Sequence, residues 1–353
     1  MFESYYKFVP QNTLLKSELL NIRYLRWEHH CGVPTLAFLI TYQQELKQLT
    51  EYFDLEIVDL SLGNIFKKEL LNYSVDEKNE IWVDKEAIAK IAMPLISKDS
   101  GNFLKTYNPK GGFTTVSCDS YSQQFIEHAG SIASCNGAVL EIGAGFGAAS
   151  LRALAKGAVV YCNDIEPLNL AVIRNRYIEA ECKSGCLSSV TGDDKRLILL
   201  PGSLSNELDQ LPKNFFDAIL ICRVLHFFSG HEIERILRLM GGLLKSGGRI
   251  FVVCETPFLK NWQTFLPEYN KRLIDGVEWP GEINNPAHYE NSGRVAALPD
   301  FVHWISKEIL ERAFKKLEFL KIESLSYIDR KGQFPADLLL HGEESVGVVA
   351  VRV

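Results

Sequence analysis

The stretch from Gly137 to Pro167, GAVLEIGAGFGAASLRALAKGAVVYCNDIEP, constrains this chain more than any other. An apolar run, Ala138 to Ile142, stops at a glycine cluster. An Ala- and Leu-rich helical segment follows, and a second apolar run, Ala158 to Cys162, leads to Asp164. The order is strand, tight loop, helix, strand, acid. Gly143, Gly145 and Gly147 open conformations closed to residues with a Cβ, and the next helix presents unpaired N–H groups at its start. Asp164, closing the second strand, is placed to accept the hydroxyls of a ribose. A nucleoside cofactor is indicated, held by Gly143, Ala144, Gly145 and Gly147 in the loop and by Asp164 with its neighbour Ile165.

Two cofactor classes use this layout. The dinucleotide pattern G-x-G-x-x-G/A is met in its looser form through Ala148, and Gly147 makes G-x-G-x-G as well. Glu141, just before the first glycine, shifts the balance: its negative charge suits a bound sulfonium and ammonium and opposes a pyrophosphate. The string from Glu141 to Gly147, EIGAGFG, resembles motif I of the class I S-adenosylmethionine (SAM)-dependent methyltransferases.

Further landmarks follow in the order that this resemblance implies. Phe215 to Cys222 reads as a fourth strand and Arg223 to Phe228 as its exit loop, which in the family sits near the sulfonium. The block GGLLKSGGRIFVV, Gly241 to Val253, resembles the family's turn into a fifth strand, with Ser246 where Pro is common. Ser203 and Leu204, after a third strand at 196–200, are candidates for the adenine contact, although Ser203 stands where Asp is frequent. Arg223 is a further candidate cofactor contact, placed either to orient an acidic acceptor or to pair with Glu255. His226 is the candidate catalytic base, and a histidine packed into a helix interface is the plainer account of it. His288 and His303 are alternatives. Tyr121 and Ser122, opening a helix capped by Asp119 or Ser120, are weaker binding candidates. The exit loop lacks the Asn/Asp-Pro-Pro-Tyr/Phe motif of enzymes that methylate exocyclic base amines, which argues against DNA amines as acceptors.

The expected fold is α/β: a doubly wound, Rossmann-like, seven-stranded, mostly parallel sheet with an antiparallel C-terminal hairpin, plus a mainly helical N-terminal region. The hairpin is read from two strand patterns, 319–327 and 345–353, with no helical pattern between them. Residues 1–119 are expected to form the helical region, with segments at 14–25 and 36–53 and a short helix from Asp84 towards Ile96. Its Tyr5, Tyr6, Tyr24, Trp27, His29 and His30 are pocket candidates, and such aromatics are more often core. Residues 120–353 are expected to form the methyltransferase domain. Residues 102–112 read as a hinge loop and 256–305, rich in Trp, Pro, Asn and His, as a substrate-covering insertion.

A formal charge of −6 argues against a general nucleic-acid binder. The N-terminus has no signal pattern, and no apolar run approaches the 18 residues of a membrane span, so the expectation is a cytoplasmic protein. The chain has 8 cysteines. Cys162, Cys222 and Cys254 sit in strand-like runs as small hydrophobes, and Cys182 and Cys186 have no histidine nearby, so no metal is expected. The function this implies is methyl transfer from SAM to an oxygen or nitrogen of a small-molecule acceptor. The alternatives are a protein or RNA acceptor recognised by the N-terminal region, or a catalytically silent scaffold with a protein partner.

Overall fold

The computed structural model describes residues 103–353 apart from 136, 184–195, 205–210 and 291–292. Ahead of them it describes five strands: Tyr5–Pro10, Ile22–Glu28, Leu36–Thr41, Tyr73–Val75 and Ile81–Asp84. The helices expected over 14–25 and 36–53 meet described residues only in part, and there the backbone is extended. Ile22, Tyr24 and Trp27 are β-branched or aromatic, and Leu36 to Ile40 is an unbroken apolar run for which periodicity does not separate strand from helix. The remaining N-terminal expectations, including the helix after Asp84 and the side chains of the aromatic and histidine cluster, lie outside the described residues.

Seven strands of the C-terminal part lie side by side in one sheet. They are β1 (Ala138–Ile142), β2 (Val159–Asp164), β3 (Leu197–Pro201), β4 (Phe216–Cys222), β5 (Leu244–Glu255), β6 (Leu320–Ile328) and β7 (Ser345–Arg352), in the order β6–β7–β5–β4–β1–β2–β3. The first five pair in parallel, and β7 runs antiparallel to both β5 and β6. This is the doubly wound sheet with a C-terminal hairpin that the strand patterns predict. The order reverses between β1 and β4, which opens a crevice at their carboxyl ends.

Alternate residues of the central strands feed two cores, because side chains along a strand point to opposite faces. On one face Val139, Leu220, Phe251 and Val253 meet α1 (Ser120–Ile132), α2 (Ser150–Ala155) and α3 (Pro167–Lys183). On the other, Leu140, Ile219, Ile221 and Val252 meet α4 (Gly230–Leu243) and a further helix at Lys307–Lys315. Asp119 caps α1 by accepting from the N–H groups of Tyr121 and Ser122, both at 2.9 Å. Ser229 and Glu232 close a capping box on α4. Tyr121 is used for packing: a Cβ on Gly347 would lie 2.1 Å from its ring, and its hydroxyl meets Ser326 Oγ at 2.9 Å.

The segment between β5 and the last helix builds a third, smaller core. It contains α5 (Leu266–Ile274), with the Lys307–Lys315 helix following as α6, and a short hairpin of Glu282–Asn284 with Phe301–His303. Trp262, Phe265, Tyr269, Ile283, Val302 and Trp304 are its buried centre. Phe103 and Phe334 join it from outside the insertion, so this core ties the segment after residue 102 to the connection between β6 and β7. Among the described residues no helix is long and apolar enough to cross a membrane.

Candidate active site

A cavity of about 330 Å³ opens at the carboxyl ends of β1, β2 and β4. Glu141, Gly143, Ala144, Gly145, Asp164, Ile165, Ser203, Leu204 and Arg223, all cofactor candidates from the sequence, line it. Gly143 and Gly145 have φ of +68° and +54°, in the left-handed region. A Cβ on Gly143 would also lie 2.2 Å from Val224 Cγ2, so this position excludes a side chain twice over. Gly147 does not line the cavity. Its φ is +76°, and a Cβ there would meet Ile173 at 3.0 Å and Leu151 at 3.2 Å, so it serves the packing of α2 against α3.

Three buried carboxylates face this space. Asp164 accepts from Gly145 N at 2.8 Å through Oδ2, and from Glu166 N at 2.8 Å and Asn169 Nδ2 at 3.1 Å through Oδ1. These bonds hold the glycine loop against the end of β2, and burial still pushes Asp164 up to about 6. Glu141 Oε2 accepts from Ser150 N at 2.8 Å and from the Ser150 hydroxyl at the start of α2. Burial, offset by the two Ser150 bonds and reinforced by the nearby charges of Asp164 and Asp119, pushes Glu141 up to about 7. Asp119 is the third. Although burial opposes its ionisation, Arg330 at 3.2 Å and the donors of Ser122 and Tyr121 hold it below the ordinary carboxylate range.

The roof of the cavity comes from residues that the sequence reading treats as a hinge. Phe103–Lys105 and Phe113–Thr115 pair as a short hairpin, and Thr106, Asn108, Lys110, Thr114 and Ser117 line the cavity. Asn169 Oδ1 accepts from Tyr107 N at 3.1 Å, so one buried amide joins the roof to Asp164. Gly112 N donates to Ala297 O at 3.1 Å, tying the roof to the insertion, whose Pro299 also reaches the cavity. Asn163 fastens the far wall, donating to Leu200 O at 2.8 Å and Gly202 O at 3.1 Å. Asn163, Asn169 and the roof carry no motif: they are brought to the site by packing, and only Asp119 had a local signal, as a helix cap.

His226 is not in this cavity. It lines an adjoining one of about 50 Å³, together with Arg223, Glu255, Asn261, Trp262 and Trp304. The imidazole is buried, stacks on Trp304 with centroids 5.5 Å apart, and among the described residues has no partner for Nδ1. Burial drives its pKa down to about 4, with Glu255 opposing and Arg223 assisting. Arg223, at φ +60°, donates from Nε to Glu255 Oε1 at 2.6 Å, the pairing considered from sequence, and lines both cavities. Ser122 lines the larger cavity and Tyr121 does not. His303 lies in the core, its Nδ1 3.0 Å from Phe228 O. His288 lines neither cavity. Among the described residues no group of three His, Cys, Asp or Glu is arranged to hold a metal.

The sequence profile of a family described as "Methyltransferase domain" matches residues 140–252, the span from β1 to β5. Similar solved structures include magnesium protoporphyrin IX methyltransferase from Synechocystis PCC 6803 with bound SAH, 16% identical, covering 66% of this chain and 84% of that one, TM-score 0.39. A SAM-dependent methyltransferase from Mesorhizobium loti is 16% identical over 66% of this chain and 98% of that one, TM-score 0.43. A mitomycin 7-O-methyltransferase is 16% identical over 65% of this chain and 54% of that one, TM-score 0.37. No curated protein sequence matches the chain.

Proposed function

We propose that this chain, whose residues 140–252 match the methyltransferase-domain profile, is a class I SAM-dependent methyltransferase that methylates an oxygen or nitrogen of a small-molecule acceptor. The observation that carries the cofactor side is the carboxylate-lined cavity over the glycine loop. Asp119, Glu141 and Asp164 together make a field that attracts a sulfonium and an ammonium and repels a pyrophosphate. The residues therefore fit SAM and not a dinucleotide. Asp164 would take the ribose, Ile165 with Leu204 the base, and the Gly143–Gly145 backbone the amino-acid end.

SAM supplies an already activated methyl group, so the protein's own contribution is alignment and exclusion of water. The roof hairpin and Pro299 cover part of the crevice, and Arg223, held by Glu255, lines both the cofactor cavity and its smaller neighbour. His226 is neutral at physiological pH, with a free lone pair or N–H at Nδ1, depending on the tautomer, to hold or receive a proton from the acceptor. Supporting a small acceptor is the size of the smaller cavity, whose lining includes Leu259, Trp262, Leu298 and Trp304 of the insertion.

Calorimetric titration with SAM, S-adenosylhomocysteine (SAH) and NAD in parallel tests the reading. Binding of the first two alone is expected, and binding of NAD alone overturns it. For His226→Ala, turnover should fall about 10²-fold or more with SAM affinity kept. Unchanged turnover would remove this residue from the mechanism.

A further inference from the structure

The smaller cavity is walled by rings. Phe103 stacks on Phe113 with centroids 4.7 Å apart, Trp262 and Trp304 lie 4.9 Å apart, and the His226 ring covers Trp304. In the residues of these walls, three buried polar atoms have no partner among the described residues: Asn261 Oδ1, Trp304 Nε1 and His226 Nδ1. A buried polar atom left unpaired costs about 1–3 kcal/mol, and here the three side chains that carry such atoms come from three separate segments and line one space. Among the described residues that line it, every formal charge is already matched. Arg223 is paired with Glu255 at 2.6 Å, and Arg294 with Asp337 at 2.8 Å while its guanidinium lies over Phe103 and Phe113.

We infer that this cavity is the subsite for the reacting end of the acceptor, and that it takes a neutral ring bearing a hydroxyl group. The inference rests on the methyltransferase reading above. A carboxylate entering here would find no free cation and an ammonium no free carboxylate, whereas a hydroxyl both donates and accepts. It can donate to Asn261 Oδ1 and accept from Trp304 Nε1 while the ring's face lies on the aromatic walls. Flat aromatic walls receive the face of a phenolic ring or the apolar face of a sugar ring equally, and the shared requirement is the ring hydroxyl. The two cavities have Gly111, Phe113 and Arg223 in common, so a ring seated in the smaller one borders the larger.

The test uses the full chain saturated with SAH, with catechol and methyl β-D-glucopyranoside as hydroxylated probes and toluene and tetrahydropyran as their hydroxyl-free counterparts. Binding is read by ligand-detected NMR and by quenching of tryptophan fluorescence. One hydroxylated probe should bind and its counterpart should not, and which one it is identifies the ring class. Asn261→Leu and Trp304→Phe should each weaken that binding about fivefold, the loss of one hydrogen bond, with SAH affinity unchanged. Asn261 is only half-buried, so its variant keeps the test available if the Trp304 change unfolds the insertion. Failure of both hydroxylated probes, equal binding of the hydroxyl-free rings, or folded variants that bind as wild type overturns the subsite. Failure of the wild type to bind SAH at all overturns the cofactor reading instead.

Discussion

The two cavities meet at Arg223 and treat charge in opposite ways. In the larger, Asp119, Glu141 and Asp164 converge, and among the described residues only Asp119 has a buried cation, Arg330, against it. In the smaller, Arg223 and Arg294 are each bound to a carboxylate and the walls are aromatic. An excess of buried negative charge is tolerable only where a cation will arrive or a proton can stay. Matched charge among rings is what a neutral partner requires. On the proposed function, this contrast would give the site an end for a cationic cofactor and an end for an uncharged acceptor.

The most severe way to break the cofactor end is Gly145→Arg. It combines a left-handed backbone with a Cβ only 3.1 Å from Thr114 and a long side chain in the cavity, and SAH binding by calorimetry should disappear. Retained affinity would move the cofactor elsewhere. Next in size, Arg330→Met strands the Asp119 carboxylate without its cation. Both side chains are essentially inaccessible, so urea unfolding should show a loss of about 3–5 kcal/mol, with much of it restored by adding Asp119→Asn. Additive losses in the double variant would mean that the pair is not coupled.

A pH series sharpens the contrast. Burial raises Glu141 to about 7 and Asp164 to about 6, above their ordinary 4.5 and 3.8, so each holds its proton more tightly folded than unfolded. Their contribution to stability is complete below about pH 4 and is lost as pH rises through about 6 to 7. The same ionisation creates the charge that a sulfonium seeks. SAM affinity should therefore rise about 3- to 10-fold between about pH 5.5 and 7.5, and more steeply than that of SAH, which lacks the sulfonium. Parallel curves for the two would remove sulfonium attraction from recognition. The smallest expected effect is that of Asn169→Leu. It cuts the link from Asp164 to the roof at Tyr107 and should weaken SAH binding about fivefold, the order of one hydrogen bond; wild-type affinity would show that the roof closes without it.

Much of the larger cavity was legible in the chain because its parts are consecutive. Glu141, Gly143, Gly145 and Asp164 belong to one strand–loop–helix–strand unit, where spacing along the sequence translates directly into position at a strand end. Gly147 shows the limit of that logic: it belongs to the same motif, yet its neighbours are Ile173 and Leu151 of the packed helices. Residues 102–112 read as a hinge because Asn108-Pro109 and Gly111-Gly112 are turn signals, and a turn signal does not say what the turn rests on. His226 follows β4 as expected, but whether its ring enters one cavity or the other depends on Trp304, far along the chain.

The sequence by itself determined the doubly wound sheet, its closing antiparallel pair and the glycine loop at the end of the first strand, since strand period and glycine placement are local properties. Only the tertiary structure decided which carboxylates share one space, which arginines are already spent, and that segments from residues 103, 223, 255, 294 and 338 surround a second cavity. Those outcomes depend on contacts between residues remote in the chain. Burial then sets the protonation of each group, and no local pattern records burial.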